Sequence, residues 1–172
     1  ADTHSTQPVK LDAYNGKKAE FIISGDKLFV KSFDASNDTF SLFRHTVTNG
    51  VVSAAEMLDT SIKACNIIGA DVWYRRSVTG SSLCDLYKYS AEKEKIDGDV
   101  ASFVELPDGS VLIVKNFVSS SDGEIADLYL YDGKKTSLVA EKTELKNMKY
   151  SDKGISFIRS GGDLCIYSKN KL

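Results

Sequence analysis

A chain of 172 residues fits a single domain with room for a sizeable core. Its charged share of 27% and formal net charge of −2, with the two signs interspersed, exclude a nucleic-acid or membrane-surface binder, which would carry a basic stripe. Two prolines against twelve glycines, with eight tyrosines and many β-branched residues, favour strands and hairpins over helices. No apolar run approaches a membrane span, so no membrane insertion is expected.

Residues 1–8 (ADTHSTQP) are polar, end in proline and read as a flexible tail or linker, a tether to something upstream. Residues 9–172 read as one domain. The chain opens at Ala1 without Met, which fits a mature secreted protein or a trimmed chain. Lys10–Tyr14 is expected to be a strand entering an Asn15-Gly16 turn. Glu20–Ser24 and Lys27–Phe33 form a hairpin about Gly25-Asp26, and Phe40–His45 and Val51–Ala55 follow. Ser53–Lys63 is the one segment with a helical look, and allows a single turn; Lys142–Lys149 reads as irregular. From Ile67 strands succeed one another at short spacing: Val72–Arg75, Leu83–Tyr89, Lys93–Ile96, Val100–Leu106, Val111–Phe117, Leu128–Tyr131, Thr136–Ala140, Met148–Tyr150, Ile155–Ile158 and Leu164–Tyr167.

One unit organises this series. In Asp127-Leu128-Tyr129-Leu130-Tyr131 the leucines lie on one face and the tyrosines on the other. Both faces are apolar, so the strand asks to be covered on both sides. Asp132-Gly133 is expected to make a type I′ turn. The unit recurs as Asp85-Leu86-Tyr87-Lys88-Tyr89 and Asp163-Leu164-Cys165-Ile166-Tyr167, at a pitch of about 40 residues. Apolar strands opened by Asp26, Asp71, Asp108 and Asp152 repeat beside it. The expectation is an all-β fold of antiparallel meander repeats, a four-bladed β-propeller, with Lys10–Tyr14 completing the last blade. A β-sandwich or barrel is the alternative. The repeated unit resembles the propeller-like repeats of bacterial surface and envelope proteins, the TolB-like and WD-like grouping. It lacks the Gly-His and Trp-Asp dipeptides of WD repeats proper. The resemblance implies a recognition or scaffold role in the cell envelope or outside the cell, and brings no catalytic residues.

Chemistry-bearing patterns are few. His4 lies in the tail and His45 reads as a strand-end surface residue; no Gly-x-Ser-x-Gly elbow holds a nucleophile. The Asp34–Asp38 loop offers alternating oxygen ligands but lacks the central Gly and closing Glu of a calcium loop. Cys65, Cys84 and Cys165 have no zinc spacing and read as buried thiols, with a Cys84–Cys165 bridge as the minor alternative. No catalytic residue, metal site or cofactor is assigned. The residues with most binding potential are Trp73, Tyr74, Arg75 and Arg76, rings and guanidinium groups able to stack on a sugar or grip a protein, although core filling is the better reading of Trp73. The functional expectation is therefore a non-catalytic binding or scaffold domain recognising a protein or carbohydrate ligand. A glycan-acting hydrolase or lyase with unplaced carboxylates is the alternative. A monomer would fit a ring closed within the chain; a homodimer would join open ends.

Overall fold

The computed structural model describes residues 11, 14, 17–34, 38–121, 123–151 and 154–168. They form thirteen strands and no α-helix, and every strand pairing is antiparallel between sequence neighbours, β4 excepted as a short flap on β3. The expectation of an all-β antiparallel meander holds. The chain divides into two compact units, Ala1–Ala64 and Cys65–Leu172.

The first unit contains β1 (Ala19–Ser24), β2 (Lys27–Asp34), β3 (Thr39–Thr48), β4 (Val51–Val52) and the opening of β5 (Glu56–Ile68). Its buried side chains include Phe29, Val30, Phe40, Leu42 and Ile62. The helical look of Ser53–Lys63 is overturned: Glu56–Lys63 is extended and pairs with β3, Phe43 opposite Met57 and Phe40 opposite Ile62. Tertiary pairing and the burial of Leu58 and Ile62 outweigh a weak local propensity. Leu11 and Tyr14 form a tight turn rather than a strand, the Tyr14 N–H donating to the Leu11 carbonyl. The remaining residues of the expected Lys10–Tyr14 strand, and the Asn15-Gly16 turn, lie outside the described residues, as does the tail.

His45 is also corrected. It is 3% exposed, and its Nδ1 lies 2.9 Å from the Ser53 carbonyl oxygen. A carbonyl only accepts, so the proton sits on Nδ1 and Nε2 accepts from the Tyr14 hydroxyl at 2.9 Å. The Tyr14 ring packs edge-on against Phe43. This pair pins the N-terminal turn to β3, and burial pushes the Tyr14 hydroxyl's pKa up.

The second unit runs from the end of β5 through β6 (Asp71–Ser77), β7 (Cys84–Tyr89), β8 (Lys93–Glu105), β9 (Val111–Ser120), β10 (Gly123–Tyr131), β11 (Thr136–Ser151), β12 (Gly154–Arg159) and β13 (Leu164–Tyr167). Two pairs of strands expected to be separate are single long ones: Lys93–Ile96 with Val100–Leu106 in β8, and Thr136–Ala140 with Met148–Tyr150 in β11. Each long strand bends at a bulge. In β8 the register steps from Leu86↔Asp97 to Cys84↔Val100, and in β11 from Leu128↔Ala140 to Ala126↔Thr143. The extra residue adopts a positive φ, 59° at Asp99 and 50° at Lys142, and β5 repeats the device with 59° at Ser61. These three left-handed residues recur at the pitch of about 40 residues seen in the sequence.

The motif aspartate faces this bulge. Asp127 Oδ1 accepts the N–H of Lys142 at 2.9 Å, and its Oδ2 accepts from the Asn116 amide at 2.6 Å. Asp85, at the same position in the previous repeat, receives Lys95 Nζ at 2.8 Å. At Asp127 the carboxylate thus serves the backbone, since the bulge breaks the ladder and leaves an N–H to satisfy.

Both faces are buried where Val111–Val114 of β9 pairs with Leu128–Tyr131 of β10, as the alternation there requires. Leu112, Val114, Leu128 and Leu130 enter one core with Ile155 and Phe157 of β12. Val111, Ile113 and Tyr131 enter another with Trp73, Leu86, Val100 and Phe103. Each such aliphatic side chain contributes about 1.5–3 kcal/mol relative to exposure. All three cysteines are free thiols, so no Cys84–Cys165 bridge forms.

Candidate ligand-binding cleft

Three hairpin turns of the second unit converge on a cleft of about 270 Å³. The β5–β6 turn contributes Gly69 and Asp71, the β8–β9 turn Asp108 and Gly109, and the β10–β11 turn Asp132 and Gly133. These are turn signals already visible in the sequence, brought to one end of the unit by the meander. Trp73, Lys88 and Tyr131 stand behind them.

The local chemistry fixes each of these groups. Asp132 Oδ1 accepts the N–H groups of Lys134 and Lys135 at 2.9 and 3.0 Å, and the loop closes with Asp132 N–H donating to the Lys135 carbonyl. Only Gly133 has a positive φ, so this is a four-residue loop clamped by a carboxylate and not the expected type I′ turn. The hydrogen bonds from Lys135 and Lys134 hold the Asp132 carboxyl below the usual aspartate range. Asp108 Oδ1 likewise accepts from the Ser110 N–H, at 2.9 Å, and from its hydroxyl. Lys88 Nζ pairs with Asp71 at 3.0 Å, a hydrogen bond that raises the lysine's pKa. Trp73 is 3% exposed and Tyr131 7%. Their rings meet edge to face at 5.5 Å, and Lys88 Nζ lies 6.0 Å from the Trp73 ring. Burial, with the Glu94 charge, raises the Tyr131 pKa, so the phenol keeps its proton at neutral pH.

Of the four sequence-nominated residues only Trp73 lines this cleft. Side chains alternate along β6, which sends Tyr74 to the opposite face, fully buried and stacked on Tyr87 at 5.6 Å. The half-buried Arg75 donates from its guanidinium to the Ala101 carbonyl. Arg76 stands opposite Asp85 in the β6–β7 register. The four do not form one patch. Tyr131 was missed as a site residue because it reads as the second tyrosine of a structural motif; the signal was its place beside the Asp132-Gly133 turn.

Elsewhere, Asp34 and Asp38 border a larger cleft, of about 720 Å³, with Lys17 and Lys18, while Ala35–Asn37 of the calcium-like loop lie outside the described residues. Among the described residues, no three His, Cys, Asp or Glu side chains gather as a metal site.

No family model matches the sequence, and no curated protein matches it. A solved structure similar to this chain is the β-propeller domain of the Trilobed protease from Pyrococcus furiosus, described as having an open velcro topology. It is 13% identical with a TM-score of 0.42, and the match covers 89% of this chain and 70% of that one.

Proposed function

We propose that this chain is a non-catalytic binding or scaffold domain of a bacterial secreted or cell-envelope protein, and that it recognises a protein or glycan ligand. The observation that carries this reading is the cleft. Turns from three hairpins build it, and it is walled by two buried aromatic residues. Concave sites with aromatic walls and a few convergent polar groups suit ligand capture.

Three of its four carboxylates are poorly disposed for acid–base work. Asp71 is engaged by Lys88, Asp108 and Asp132 clamp their turns, and the Asp132 pKa is lowered. A glycosidase acid needs a carboxyl held protonated near neutral pH. The bacterial envelope setting rests on the resemblance of the Asp127–Tyr131 unit to envelope repeats.

The test is to incubate the full chain with a panel of glycans and envelope proteins, then measure retention and examine the recovered ligand. Saturable retention of an intact ligand is expected. Recovery of a cleaved glycan would turn the reading toward the hydrolase or lyase alternative.

A further inference from the structure

We propose that the cleft lined by Trp73, Tyr131 and Asp132 binds one neutral sugar unit of a glycan, the indole N–H and phenol O–H donating to it and the Asp132 carboxylate accepting from it. This rests on the binding-domain reading above and deepens it to a substrate class.

The first ground is a pair of orphaned donors. Trp73 and Tyr131 are both more than nine-tenths buried and both line the cleft. Their contacts are with rings and with Lys88, and neither the indole N–H nor the hydroxyl has a hydrogen-bond partner among the described residues. Both residues line the cleft, where a ligand can supply the acceptor that the described residues do not.

The second ground is the acceptor. Asp132 commits Oδ1 to the Lys134 and Lys135 amides, which leaves Oδ2 at the exposed rim. Its lowered pKa keeps it ionised, and burial keeps the Tyr131 proton in place. The cleft therefore presents donors and an acceptor together.

This set selects the ligand class. A guanidinium or ammonium group only donates and would leave both aromatic donors unanswered. A phosphate, sulfate or uronate would face Asp71, Glu105, Asp108 and Asp132 against the single ammonium of Lys88. Sugar hydroxyls donate and accept, and they carry no charge. A peptide main chain also does both, but it docks best by adding a strand, and β6, β8, β9 and β10 are each paired on two sides. The volume of about 270 Å³ lies just under the usual small-ligand range and suits a single ring.

Trp73 is the only tryptophan, so its emission reports on the cleft alone. The full chain is titrated with glucose, galactose, mannose, N-acetylglucosamine and their short neutral oligomers, with hepta-arginine and inorganic phosphate in parallel. A saturable change with at least one neutral sugar is expected, its affinity falling about tenfold, the weight of one hydrogen bond, in Tyr131→Phe. That variant keeps the ring packing; Asp132→Asn, which keeps the turn-clamping oxygen, should weaken binding too. Silence from every neutral sugar up to about 100 mM overturns the proposal, millimolar Kd being the weakest affinity worth the name. So does a response to hepta-arginine or phosphate alone, or a sugar response unchanged in both variants. Cleavage of the bound sugar would sink the non-catalytic reading and leave the cleft assignment standing, whereas retention of a protein with Trp73 silent to sugars would do the reverse.

Discussion

The strands β10 and β13 carry nearly the same five residues, Asp-Leu-Tyr-Leu-Tyr at 127–131 and Asp-Leu-Cys-Ile-Tyr at 163–167, yet meet opposite fates. Leu128 is fully buried and Leu130 is 6% exposed, while Leu164 and Ile166 are 70% and 75% exposed. β10 is paired on both sides, by β9 and β11; β13 pairs only with β12 among the described residues. The motif thus encodes a strand with two apolar faces, and the neighbours decide which faces are dry. In β13 one face, through Cys165 and Tyr167, still packs on the core of β9–β12, and the other is left open. Burial here is a property of position in the meander.

The largest expected effect tests that inequality directly. Leu128→Ala should lose about 2–5 kcal/mol of stability, the cost of a cavity in a closed core. Leu164→Ala should stay within about 0.5 kcal/mol, as at an exposed site. Urea denaturation of both variants measures this, and equal losses would break the comparison. Next comes Gly154→Ala. A Cβ there would overlap the Tyr167 carbonyl oxygen and sit 3.1 Å from its carbon, at a φ of +137°. A cost of about 1–3 kcal/mol is expected, with faster amide exchange confined to β12 and β13. Gly161→Ala has open space around it and should bring backbone strain without loosening the strand pair.

A smaller difference separates the two motif aspartates. Asp127 satisfies the left-handed Lys142 amide at the β11 bulge, and Asp127→Ala should cost about 1 kcal/mol. Asp163 has no such bulge opposite it, because no described strand follows β13. Asp163→Ala should therefore be close to neutral in the same denaturation assay. A matching loss at both positions would mean that the aspartate serves its own strand and not the bend of the next.

The sequence made the strand content, the repeat pitch and the two-faced character of β10 legible, because alternation in Leu128–Tyr131 and regularly spaced Asp and Gly residues are local signals. It did not disclose that β8 and β11 run through their bulges. Asp99 and Lys142 adopt positive φ with ordinary side chains, and what holds Lys142 there is the remote carboxylate of Asp127. It also mistook Glu56–Lys63 and His45, whose states are set by pairing with β3 and by the Tyr14 hydroxyl. For the cleft, Trp73 was visible as the lone tryptophan. Its separation from Tyr74 and its meeting with Tyr131 were not, since a ring contact spanning 58 positions leaves no local trace.

The smallest effect concerns acid. The Asp132 clamp closes the β10–β11 loop, whereas the β12–β13 turn is built on Gly161 and Gly162, with no carboxylate of the described residues bonded to its amides. The folded pKa of Asp132 is lowered from 3.8, so its contribution is present above the unfolded value and is lost as pH falls through the folded one. Below about pH 4 the Lys134 and Lys135 amides should then lose protection and exchange closer to the intrinsic rate, while the Gly162 amide, bonded to the Arg159 carbonyl, keeps a constant protection. Amide exchange followed by NMR across pH 2–6 reads both turns in one sample, and Asp132→Asn should remove the step. If the Gly162 amide showed the same step, acid would be acting on the whole unit, and the distinction between a carboxylate-clamped turn and a glycine turn would fail.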